Sequence, residues 1–331
     1  MNKQRLIVFD LIKTIAIYLV VFGHCCLYLK NGKYDGDLVY QVTNLISVPL
    51  FFLVSGYFAF KQKEEMSWSD MQRKVYRLLI PYFFWSVFYY FFCNWIGINT
   101  YPTTLGLFIK GLIVAPYFSS PIWFLRTLFL QFLLLYLCLK VPMKNKLIPI
   151  FLSWLVVICL AQFITPNFGL QSVAANYGLF ILGYAFNRYS LLTKKWMPIL
   201  GLGSVLGFGI LFYLKMQGIF PALTFKACNF LGVFGTMYLI CIFGKSIISG
   251  GGIQLFGSKT LQIYTVHFAF IYMMAYFDFP VPEQFYIFWI ILYSIIVFFL
   301  SGYFAILIEK IKWFNPIFGN IPVSKRFSCK S

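Results

Sequence analysis

His24 and His267 are the only two histidines in the 331-residue chain, and each falls inside a long apolar run. Imidazole is the side chain best suited to take up and return a proton near neutral pH. Ionisable groups within runs of membrane-spanning length are costly and mark functional positions. The run that holds His24 also holds Asp10 and Lys13, within DLIKTIAIYLVVFGH. At 100° per residue, Lys13 and His24 lie about 20° from eclipsed, and Asp10 and His24 differ by about 40°. The three therefore share one stripe of a helix, with Lys13 and His24 roughly 16 Å apart along its axis. Such a stripe predicts a polar interior, with a proton-transfer group toward one end and a charged pair toward the other. A plainer arrangement also satisfies it, an Asp10–Lys13 ion pair at the interface and a hydrogen-bonded packing histidine. His267 stands about seven residues into its own run, so the two imidazoles need not be adjacent. A packing role suits His267 as readily as a chemical one.

The elements that position these groups follow from composition. Charged residues make up 11% of the chain, against about 25% in soluble domains, too few to cover a water-exposed surface. Apolar runs of spanning length recur instead, at about 7–29, 42–60, 78–96, 122–140, 147–165, 172–188, 197–214, 226–244, 260–278 and 285–308. The expected fold is an all-α polytopic membrane helix bundle of about ten transmembrane helices, forming one integral membrane domain over residues 1–331. Gly201, Gly203, Gly207 and Gly209 in the seventh run are expected at close helix contacts. The longest outer connection, about 97–121, holds a short apolar stretch among prolines and suits a lid or a plain connector.

The net charge of +18 raises the possibility of a nucleic-acid partner, so the placement of the basic residues decides the matter. They sit in short segments between apolar runs, with no basic amphipathic helix and no zinc or RNA-binding pattern, which excludes nucleic acid as partner. About 20 of the 27 fall on the side of the N-terminus and five on the other, with Lys13 and Arg126 inside runs. This asymmetry places both termini in the cytoplasm, and a multi-pass protein of the plasma membrane is expected. Asp10 and Lys13 within the first run, and no small-residue cleavage site after it, favour a retained helix over a signal peptide. The eight cysteines include no CxxC and form neither a disulfide framework nor a metal site.

Other residues could join the chemistry. Ser55 and Tyr57 suit the lining of a chamber, although Ser55 and Gly56 suit a tight helix contact equally. Arg126 is an intramembrane cation near the outer end of the fourth run, able to hold an anionic group or to reach outward to water. Arg73, Lys74 and Arg77 flank the third run at its inner end, where ordinary positive-inside flanking also accounts for them. Gly244-Lys245-Ser246 echoes a phosphate loop, but the glycine that such a loop needs at 239 is a leucine.

Five segments resemble the acyltransferase-3 family of membrane proteins. They are the Lys13-(ten residues)-His24 spacing, VPLFFLVSGYF (Val48–Phe58), RLLIPYFFW (Arg77–Trp85), PIWFLRTLF (Pro121–Phe129) and IYTVH (Ile263–His267). One departure stands out: Lys13 occupies the position of the family's arginine and lacks the bidentate fork of a guanidinium. The resemblance implies an O-acyltransferase that moves an acyl group, usually acetyl from acetyl-CoA, to a hydroxyl of a cell-surface glycan or its lipid-linked precursor. The resemblance leaves succinyl in place of acetyl open as well. Acyl-CoA is then a co-substrate, with no bound cofactor and no metal. His24 is the expected general base or transient acyl carrier, with Lys13, Arg73, Lys74 and Arg77 on the CoA phosphates, and Ser55, Tyr57, Arg126 and His267 around the chamber. A transporter or flippase of a glycan or lipid precursor would use the same buried charges without acyl chemistry. The motif series and the lack of internal repeats weigh against it.

Overall fold

In hydrocarbon, backbone N–H and C=O groups cannot be left unpaired, and a helix satisfies nearly all of them within one segment. The computed structural model of the chain describes residues 3–29, 37–59, 66–97, 104–113, 122–164, 169–247 and 251–320. All regular elements among the described residues are helical. In chain order they are α1 (Lys3–Leu29), α2 (Leu38–Ala59), α3 (Trp68–Lys74), α4 (Ile80–Ile96), α5 (Leu105–Ile113), α6 (Trp123–Lys140) and α7 (Leu147–Phe163). They continue with α8 (Leu170–Arg188), α9 (Met197–Met216), α10 (Pro221–Ile247), α11 (Gly251–Ser258), α12 (Thr260–Tyr276) and α13 (Tyr286–Glu309).

A helix occupies each of the ten expected runs. Seven described segments are long and apolar enough to cross a membrane: 7–29, 38–59, 68–96, 123–140, 197–216, 223–244 and 283–309. Helices α7 and α12 are shorter, at 17 residues each, and α8 carries Gln171, Ser172, Asn176 and Asn187 along its length. Among the described residues, length and apolarity thus identify seven spans and leave the expected count of about ten unconfirmed. The surface is that of a membrane protein: Leu202, Leu206 and Ile210 of α9 and Phe151, Leu152 and Val156 of α7 point outward. Gln131, Thr265, His267, Ser294 and Ser301 are wholly buried. Apolar outside and polar inside is the arrangement that lipid permits.

The chain divides into two compact units. The first comprises Met1–Phe60, Leu179–Ile263 and Pro280–Gly302. Within it α1 packs on α2, α10 and α11, and α10 packs on α2 and α9. Two glycines bring α2 against the part of α8 that lies in this unit. A Cβ on Gly56 would stand 1.9 Å from the Phe180 carbonyl oxygen, and one on Gly183 would stand 1.9 Å from that of Leu53. Gly56 is therefore a helix-contact residue. Of the α9 glycines, Gly201 lies under the Tyr238 ring and Gly207 against Leu231, as expected, whereas Gly203 and Gly209 face open space.

The second unit comprises Lys61–Gly178, Tyr264–Phe279 and Tyr303–Ser331. Ser67 starts α3 through a reciprocal cap: its hydroxyl accepts from the Asp70 amide, and the Asp70 carboxylate accepts from the Ser67 amide, each at 3.2 Å. Between α3 and α4, residues Val75–Leu79 form a π-helical turn. Pro81 is the local cause. It has no N–H to give, and its ring crowds the carbonyl four residues back, that of Arg77. Against this carbonyl lies Gly319 at φ +71°, where a Cβ would come within 2.6 Å of the oxygen. The short turn Lys312–Phe318 docks beside it, with Trp85 Nε1 donating to the Ile317 carbonyl at 3.0 Å and Phe318 wholly buried. Of the 97–121 connection, α5 is held on α4 by the Tyr82 hydroxyl donating to the Leu112 carbonyl at 2.7 Å and by stacking of Tyr90 on Phe108 at 4.2 Å. The flanks of α5, 98–103 and 114–121, lie outside the described residues.

Candidate functional site

In the first unit the site is built on α1. Asp10, Lys13 and His24 are all half-buried, while Ile12, Ile17 and Val21 between them are wholly buried. The same partly open stripe includes Thr14 and Tyr28, as a period of 3.6 residues requires. Near its start the Lys13 ammonium meets the Asp10 carboxylate at 2.6 Å. The pair is a charge-assisted contact, so Lys13 presents a cation already shared with a carboxylate. Gly257 of α11 lets the backbones close over this end, since a Cβ there would come 2.5 Å from the Asp10 carbonyl oxygen. At the other end the His24 ring lies 6.2 Å from that of Tyr28, one helical turn on.

Tyr57 is wholly buried, with its ring 4.2 Å from that of Phe9. It therefore stands beside the Asp10 end of the stripe, about 22 Å along α1 from His24 at 1.5 Å per residue. The Tyr57 carbonyl accepts from Asn187 Nδ2 at 2.6 Å. Ser55 is half-buried on α2.

In the second unit the basic residues expected at the inner mouth fall on α3 and the π-helical turn. Arg73 approaches Asp70 at 3.7 Å, and the Lys74 ammonium stands 3.7 Å over the Phe132 ring. Arg77 is exposed. Arg126 sits three residues into α6, its Nη1 3.5 Å from the Tyr82 hydroxyl and its Nε buried without a hydrogen-bond partner. Gly169, at φ +84°, passes beside this guanidinium, and a Cβ there would be 3.3 Å from Nε. His267 on α12 is wholly buried, with ring centroids 4.3 Å from Phe268 and 5.9 Å from Tyr264. Tyr264 in turn meets Phe124 of α6 at 5.4 Å.

Two groups in this unit were not legible as candidates. Gln131 of α6 is wholly buried, and neither its Nε2 nor its Oε1 has a hydrogen-bond partner. Counting amides inside the runs alongside ionisable groups would have exposed it. Tyr89 of α4 bonds to the backbone of α12, and nothing in its local sequence marks it among 23 tyrosines.

The arrangement can accept a proton at His24, place cations at an anionic substrate group and keep polar side chains within a lipid-facing shell. Among the described residues no cluster of histidine, cysteine and carboxylate is placed to bind a metal ion. The sequence profile of a family described as an acyltransferase domain matches residues 6–315. No curated protein and no solved structure matches the chain.

Proposed function

The chain belongs to the acyltransferase-3 family, and from that premise we propose that this membrane acyltransferase uses an acyl-CoA, most simply acetyl-CoA, to esterify a hydroxyl of a cell-surface glycan or its lipid-linked precursor. The plasma membrane is the compartment where such a donor and acceptor meet. The observation that carries the reading is the α1 stripe, which keeps His24, Lys13 and Asp10 partly open on one face while Ile12, Ile17 and Val21 are wholly buried.

The chemistry is an acyl exchange between sulfur and oxygen. The unprotonated ring nitrogen of His24 takes the proton of the acceptor hydroxyl as its oxygen attacks the thioester carbonyl. The tetrahedral intermediate then collapses, the C–S bond breaks, and the imidazolium returns its proton to the leaving thiolate. An ester and free CoA result, and no oxidant or metal is required. His267 and Arg126, both in the second unit, are proposed as further groups that bind the acceptor. Tyr57 supports α1 at the opposite end of the stripe from His24.

Among the basic candidates, Arg73 and Lys74 have contacts of their own, whereas Arg77 is exposed. We assign Arg77 to the CoA phosphates. A charge-assisted hydrogen bond is worth about 1.5–3 kcal/mol, less at an exposed position. Arg77→Gln is therefore expected to raise KM for acetyl-CoA about tenfold at unchanged kcat. The KM for an acetyl-pantetheine thioester, which has no nucleotide phosphates, should not move. A parallel rise for both donors would remove Arg77 from phosphate binding.

The reading as a whole is tested with membranes containing the wild type or His24→Gln, supplied with acetyl-CoA labelled in the acetyl group. Label should enter lipid-linked or polymeric glycan with stoichiometric release of free CoA, and only with His24 intact. If neither acetyl-CoA nor succinyl-CoA is consumed by well-inserted protein with native acceptor present, acyl transfer from CoA is wrong. Movement of the acceptor across the membrane becomes the activity to measure.

A further inference from the structure

Helix α12 carries His267 midway between Thr265 and Ala269. In an α-helix these flanking residues are backbone partners, the amide of one facing the carbonyl four residues before it. A side chain from another helix joins this pair. The Tyr89 hydroxyl donates to the Thr265 carbonyl at 2.7 Å and accepts from the Ala269 amide at 3.2 Å. The Tyr89 ring is wholly buried, meeting Phe268 at 6.1 Å and Tyr272 at 6.2 Å, both edge to face. All of these residues belong to the second unit.

One partner would satisfy a buried tyrosine hydroxyl. Using both its donor and its acceptor on one turn does more, because it fixes the rotation of α12 about its axis and its height against α4. A phenylalanine can make neither bond, and an indole can only donate. Thr265, Phe268, Ala269 and Tyr272 lie on one face at 100° per residue, and His267 departs about 200° away. Tyr89 therefore grips α12 from the side opposite the imidazole, and any influence passes through the backbone.

We propose that Tyr89 is a positioning residue, clamping the Thr265–Ala269 turn from behind so that the His267 imidazole keeps one aim. The effect on rate rests on His267 belonging to the reaction chamber, whereas the effect on position does not. The two-histidine composition makes the position directly observable. Histidine labelled with ¹⁵N in the ring, in a His24→Gln background, reports on His267 alone.

The experiment compares the purified full chain in nanodiscs with and without Tyr89→Phe. The His267 ring resonances should move. In the chain with His24 intact, Tyr89→Phe should lower kcat about tenfold to a hundredfold at unchanged donor KM, as expected of a displacement of up to about 1 Å. Unmoved resonances in well-folded Tyr89→Phe protein overturn the proposal, whatever the activity does. Moved resonances with unchanged kcat uphold the clamp and remove His267 from the reaction. If Tyr89→Phe does not fold, 3-fluorotyrosine at position 89 keeps the ring and the hydroxyl while altering its hydrogen-bond strength. Unmoved His267 resonances in that protein overturn the clamp equally.

Discussion

His24→Gln is expected to lower kcat for acyl transfer by about 10²–10⁴-fold, the range that a positioned acid–base group contributes, with KM for the acyl donor close to wild type. Glutamine keeps the approximate size and hydrogen-bonding capacity of histidine but cannot take the hydroxyl proton. His24 is half-buried on the open stripe of α1, while Ile12, Ile17 and Val21 hold that helix in its core. The substitution therefore opens no core cavity, and the variant should insert and purify as wild type does. A fall confined to kcat is the signature of an interaction made in the transition state.

The pH profile gives the same assignment an independent check. A general base works in its neutral form, so wild-type activity must fall on the acid side as the imidazole protonates. His24→Gln should retain a low rate without that limb. With only two histidines in the chain, the limb has few possible owners, and His267→Gln measured in parallel separates them. If His24→Gln retains both the rate and the acid limb, His24 is not the base and the α1 stripe is structural.

The legible part of this site was the part that depends on helical periodicity alone. Asp10, Lys13 and His24 align on α1 because a bilayer forces the segment to be a helix, and a helix has one period. The Asp10–Lys13 ion pair was readable for the same reason, being three residues apart on one turn. The order of helices followed from the apolar runs, since lipid leaves the backbone few alternatives. Their number is not confirmed by the same criterion, because a short helix such as α7, or a polar one such as α8, carries too little of the length and apolarity by which a span is recognised.

What escaped depends on partners distant in sequence. The Lys74 ammonium stands over the ring of Phe132, from α6, a partner that flanking charge does not announce. Gly201 and Gly203 are indistinguishable in sequence, yet one lies under Tyr238 and the other faces open space. Tyr89 is neither charged nor part of a short motif, and its bonds to Thr265 and Ala269 cross more than 170 residues. The π-helical turn lies between these cases. Pro81 announces a disturbance of the preceding turn, but the packing of Gly319 against the Arg77 carbonyl could not be read locally.

Gly56→Leu and Gly183→Leu should each abolish recovery of monodisperse protein. Close approach of helices in lipid relies on small residues, because no hydrophobic driving force holds the helices together. Here the contact is reciprocal. A Cβ on Gly56 would meet the Phe180 carbonyl at 1.9 Å, and one on Gly183 would meet the Leu53 carbonyl at 1.9 Å and the Tyr57 amide at 2.8 Å. The obstacle on each side is backbone, which cannot rotate away as a side-chain end can. Overpacking commonly costs about 1–3 kcal/mol, and prising two helix backbones apart belongs at or above the top of that range. The damage would reach the site through Tyr57, whose carbonyl is held by Asn187 at 2.6 Å and whose ring supports Phe9 at 4.2 Å, next to Asp10. Even Gly56→Ala should lower Tm and activity together. Gly203→Ala supplies the control: no neighbour lies within 4 Å of its Cβ, and alanine gains about 1 kcal/mol over glycine in a helix. That variant should match or exceed wild-type Tm with full activity. If Gly56→Leu is as stable and active as Gly203→Ala, then α2 and α8 do not meet through these glycines.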